Sequence, residues 1–121
     1  MNVTRQKITV TTDASGDATS YSAAVNGFLS SIQYVATDYT AGVDFTITEE
    51  ETGATLWTQL NVNASAICAP RQHTHDTAGV GLLYAAAGAA VGDMIAVAGR
   101  IKIVIAAGGA AKVGTFYINV I

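Results

Sequence analysis

The chain has 121 residues, a formal net charge of −3 and a pI near 5.0; 50% of it is hydrophobic and only 12% charged. That length allows one domain, residues 1–121, with one core. The acid balance, with Arg5, Lys7, Arg71, Arg100, Lys102 and Lys112 scattered, argues against nucleic acid. The lone cysteine, Cys68 in an apolar run, excludes an intramolecular disulfide framework and reads as an inert buried thiol.

Lys7 to Thr12 alternates, with Ile8 and Val10 on one face and Thr9 and Thr11 on the other, which predicts a half-buried strand. Asp13-Ala14-Ser15-Gly16-Asp17 is a turn, and Ala18 to Ala24 is expected to return as the hairpin partner. Phe28 to Val35 is a third strand, with Phe28, Ile32 and Tyr34 sharing one face. In the fourth, Val43, Phe45 and Ile47 alternate with Asp44, Thr46 and Thr48. Glu49-Glu50-Glu51-Thr52-Gly53 then forms a solvated tip. Thr55 to Val62 pairs back, with Leu56, Leu60 and Val62 inward. A short apolar run follows, stopped by Pro70.

Thr77 to Gly92 carries no charge, yet it is too short and too rich in Ala and Gly to span a membrane. Within it, Gly79–Ala90 suggests a short helix or an irregular crossover, since alanine favours helix and Gly79, Gly81 and Gly88 oppose it. Ile101, Ile103 and Ile105 form a further strand, and Gly108-Gly109 turns the chain. Lys112 to Ile121 closes the domain, with Phe116, Ile118 and Val120 inward. Seven to eight short strands with Gly-rich turns predict an all-β fold, an antiparallel sandwich or jelly-roll-like barrel. The N-terminus shows no apolar core of a secretion signal, so the expectation is a soluble, non-exported chain.

Candidate sites are few. His73 and His75 project to one face of an extended backbone, and Asp76 adds an oxygen donor. One chain then supplies at most half of a zinc site, and hydrogen bonding in a polar loop is the simpler expectation. No Gly-x-Ser-x-Gly elbow or phosphate loop is present. No enzyme, metal or other cofactor is therefore expected. Trp57 lies opposite Leu56, Leu60 and Val62, as an interface anchor or sugar-stacking platform, unless a bulge shifts the register and turns it into the core. Tyr117, outward on the last strand, invites the same readings. With Arg71, His73 and His75, these two are the interface candidates. Long neutral strands with few edge lysines favour self-association.

The run Ile8-Thr9-Val10-Thr11-Thr12-Asp13-Ala14-Ser15-Gly16-Asp17-Ala18-Thr19 resembles the opening of small structural proteins of tailed bacteriophages. Asp44-Phe45-Thr46-Ile47-Thr48 and the stretches Gly92-Asp93-Met94-Ile95, Gly99-Arg100-Ile101-Lys102-Ile103-Val104 and Gly114-Thr115-Phe116-Tyr117 share that look. The resemblance implies a virion protein, assembled in the host cytoplasm, that decorates or cements the capsid beside the major capsid protein. It also implies many copies, with a trimer favoured. A head–tail or tail component, or a displayed module recognising a host glycan, is the alternative.

Overall fold

The computed structural model describes residues 2–121. Ten strands form two antiparallel sheets: β1 (Thr4–Thr11), β2 (Ala18–Tyr21), β3 (Val25–Val35), β4 (Val43–Glu49), β5 (Thr55–Val62), β6 (Ala66–Cys68), β7 (Arg71–His73), β8 (Gly92–Gly99), β9 (Ile101–Ala106) and β10 (Val113–Val120). The larger sheet runs β1-β10-β3-β8-β7, with β6 also on β3; the smaller runs β2-β9-β4-β5. The all-β sandwich expected from alternation is present. The count is ten strands, because the polar Arg71–His73 and the mixed Gly92–Gly99 pair with each other despite weak alternation of their own.

The core lies between the sheets. From the larger come Tyr34 and Phe116, from the smaller Phe45 and Trp57. Phe45 meets Phe116 at 5.4 Å and Trp57 at 4.8 Å, both edge-on, and Tyr34 stands 5.2 Å from Phe45 and from Phe116. Ile32, Ile47, Ile101, Ile103, Ile105 and Ile118 are fully buried around them. Each comes from the apolar phase of an alternating strand, which is how the period of two becomes a two-layer core.

The predicted hairpin of the first two strands does not form. β1 pairs with β10 and β2 with β9, so Asp13–Asp17 crosses between the sheets. Asp13 builds that corner. Its Oδ1 accepts the N–H groups of Ser15 (2.8 Å) and Asp17 (3.1 Å), and Gly16 takes φ +83°. The Gly108–Lys112 loop latches onto the corner, Gly108 N donating to Gly16 O and Ala111 N to Asp13 O. At this end the hydroxyl of Tyr39 donates to Val10 O at 2.7 Å, its ring stacked with Tyr34. Burial pushes the phenols of Tyr39 and Tyr34 above their usual range.

Bulges correct the predicted facing of three side chains. In β3 the register against β10 shifts between Ser31 and Leu29, leaving Ser30 over. Leu29 therefore enters the core and Phe28 turns out, 49% exposed. In β5 two shifts against β4 bring both Leu56 and Trp57 inward and leave Leu60 69% exposed, with Asn61 at φ +56°. Glu49 is also buried rather than solvated, while Glu50 pairs with Arg100.

The edges of the smaller sheet are poor templates for further pairing, since β2 has four residues and β5 is twice bulged. The far edge of β3 is divided, Val25–Leu29 pairing with β8 and Ile32–Tyr34 with β6.

Candidate functional site

No helix covers Gly79–Ala90, nor any other described stretch. Residues 74–91 instead form a doubly folded arm that prolongs β7 and β8. Thr74 N donates to Val91 O, Leu82 N to Thr74 O and Val91 N to Leu82 O, and single bridges join His75 to Gly81 and Leu83 to Ala90. Two turns make the folds. Asp76 Oδ1 accepts the N–H groups of Ala78 (2.8 Å) and Val80 (3.0 Å) with Gly79 at φ +80°, repeating the device of Asp13–Asp17. The second turn closes through Gly88 N to Ala85 O, with Ala87 at φ +58°. A twelve-residue helix without a face to dock is marginal in water, and three glycines lower its propensity further. The strand pairing offered by β7 and β8 wins.

Arg71 anchors the base of the arm. Its Nη1 donates to Ser30 O at 3.1 Å and to Pro70 O at 2.7 Å, so the carbonyl of the β3 bulge receives a charged partner. His73 and His75 stand exposed one step further along, ring centroids 6.4 Å apart. Cys68 on β6 is half-buried, and desolvation raises its thiol pKa against the opposing influence of Arg71. A thiol held protonated is a poor nucleophile.

Of the ten large hydrophobic residues exposed among the described residues, Val80, Leu82, Leu83, Tyr84 and Val91 lie on this arm, Tyr84 88% exposed. Half of the exposed large apolar side chains therefore sit on one projection. Between Asp76 and Asp93 no charged side chain breaks the stretch. This concentration of exposed apolar side chains makes the arm the candidate contact surface. The uncharged run Thr77–Gly92 was the sequence signal for it, but neither the short helix nor the irregular crossover expected over Gly79–Ala90 implied an outward face.

The remaining candidates lie elsewhere. Trp57 is a core residue, 8% exposed, its Nε1 donating to Gln59 Oε1 at 3.3 Å. This removes it as a surface anchor or sugar platform. Tyr117 is half-buried on the outer face of the larger sheet, where the Arg5 guanidinium lies 5.4 Å from its ring centre and Arg5 Nε donates to Asn119 Oδ1. Only Arg71, His73 and His75 are brought together.

No family model matches the chain, and no curated protein matches it. Among solved structures, it is similar to one of the infectious bursal disease virus Gt strain, at 12% identity and a TM-score of 0.34, over 98% of this chain and 32% of that one. A mutant VP2 protein of infectious bursal disease virus, in derived T=1 particles, gives 12% identity and 0.27, over 96% and 32%. The chain spans about a third of the length of these structures. Overlap this loose identifies neither family nor function.

Proposed function

We propose that the chain is a non-enzymatic virion structural protein that decorates or cements a capsid by bridging major capsid protein subunits, in several copies with a trimer favoured. The observation that carries this reading is the uncharged arm at 74–91, which presents Val80, Leu82, Leu83, Tyr84 and Val91 to solvent. The phage-like sequence runs noted above supply the virion context. A cement acts by summing several modest contacts, each too weak alone, through multivalency. A rigid sandwich with a projecting apolar arm suits that task.

The test is solution mass by light scattering, at micromolar and at tenfold lower concentration, followed by co-sedimentation with shells of the major capsid protein. The expected result is a closed oligomer that pellets with shells, and a Leu83→Ser/Tyr84→Ser variant that keeps the β circular-dichroism spectrum but loses both properties. A monomer at both concentrations that stays in the supernatant would overturn the reading.

A further inference from the structure

We propose that His73 and His75 form a chelating site for a divalent transition-metal ion of the imidazole-preferring class, Zn²⁺ or Ni²⁺, at the base of the arm. The two residues are spaced i, i+2 on an extended segment, so both project to one face. Their rings tilt by 35° and their centroids stand 6.4 Å apart. Imidazole nitrogens ~2.0–2.1 Å from one tetrahedral ion place the ring centres roughly 5 Å apart. Closing that difference requires rotation of the two exposed side chains.

The surroundings leave the pair free for this. The polar loop makes the hydrogen bonds expected of it through Arg71, Thr74 and Asp76, and among the described residues neither imidazole takes part in them. The residues opposite them on neighbouring segments are both glycines, Gly92 across from His73 and Gly81 across from His75. Gly81 carries the sharper message. Its backbone φ is not in the left-handed region, yet a Cβ there would lie 2.7 Å from His73 Nδ1. The space that an ordinary residue would fill is taken by the imidazole.

Charges nearby are already engaged. The Arg71 guanidinium is drawn to the carbonyls of Ser30 and Pro70. Asp76 spends one carboxylate oxygen on its own turn, and Asp93 pairs in register with Gln72, on the opposite face of the strand from His73. Two imidazoles thus provide the protein ligands and water the remaining positions. Such a donor set favours Zn²⁺ or Ni²⁺ over the hard cation Mg²⁺, which prefers oxygen.

The experiment uses the full chain without an affinity tag, titrated calorimetrically with Zn²⁺, with Mg²⁺ as control, and run over nickel-charged resin. The expected result is one Zn²⁺ per chain, retention on the resin and no response to Mg²⁺. His73→Ala and His75→Ala should each weaken Zn²⁺ binding by ~10-fold or more, since disturbing even an outer-shell partner of a ligand has an effect of that size. Gly81→Ala should weaken it with both ligands present, by turning the His73 ring away, while circular dichroism stays unchanged. Absence of Zn²⁺ binding by the native chain, or binding undiminished in the double histidine variant, would overturn the proposal.

Discussion

Trp57→Ala separates a core role from an interface role for this residue, because the two predict opposite readouts. Trp57 packs edge-on against Phe45 at 4.8 Å and is 8% exposed. Burying a tryptophan removes about 200 Å² from water, which corresponds to about 5 kcal/mol at about 25 cal/mol/Å². Alanine keeps part of that area, and β5 is an edge strand that can partly collapse into the gap. The expected loss is therefore about 3–4 kcal/mol, within the range for large-to-small core changes. For a chain of this length the unfolding entropy is roughly 0.25 kcal/mol/K, so Tm should fall by about 12–16 °C. Circular dichroism at ~217 nm, where strands absorb, follows the transition in both proteins without relying on the lost fluorophore. Solution mass should not change in the variant that is still folded at low temperature. A Tm loss below about 4 °C, with loss of the oligomer, would refute the packing argument.

Gly27→Ala should cost about 2 kcal/mol or more, since its φ is +147° and a Cβ would lie 2.6 Å from Ile121 O. Gly53→Ala, at φ +71° with open space around it, should cost about 1 kcal/mol; urea unfolding of the two variants reads the difference. Asp13→Ala should lower global stability by about 1 kcal/mol through loss of the one carboxylate oxygen that accepts two N–H groups at the corner between the sheets. Asp76→Ala, with the same turn on the arm, should speed amide exchange in residues 74–91 and leave the urea midpoint unchanged. The raised Tyr39 phenol gives an alkaline dependence. The unfolded chain releases this proton near pH ~10 while the folded chain keeps it, so stability is full below that pH and is lost as pH rises above it. Tyr39→Phe should make that alkaline decline shallower in urea titrations, and an unchanged slope would contradict the assignment.

Strand phases were legible wherever one face is buried and the period of two runs unbroken. Ile8 and Val10, the Val43–Ile47 set, Ile101–Ile105 and Phe116–Val120 all face inward as alternation requires, because a strand between core and solvent has no other way to hide its apolar side chains. The turn chemistry of Asp13–Asp17 was equally local, resting on one carboxylate and one glycine. Its consequence was not local: whether the chain returns along the same sheet or crosses to the other depends on β9 and β10, about ninety residues away. Bulges belong to the same class. The extra residue at Ser30 and the two shifts in β5 arise from matching neighbouring strands, and they turned Phe28 and Leu60 outward and Trp57 inward. The candidate contact surface shows the division most plainly. The lack of charge over Thr77–Gly92 and the i, i+2 spacing of His73 and His75 are readable along the chain. The exposed folded arm is a product of long-range pairing, because β7 against β8 offered this segment hydrogen bonds that a short, undocked helix could not match.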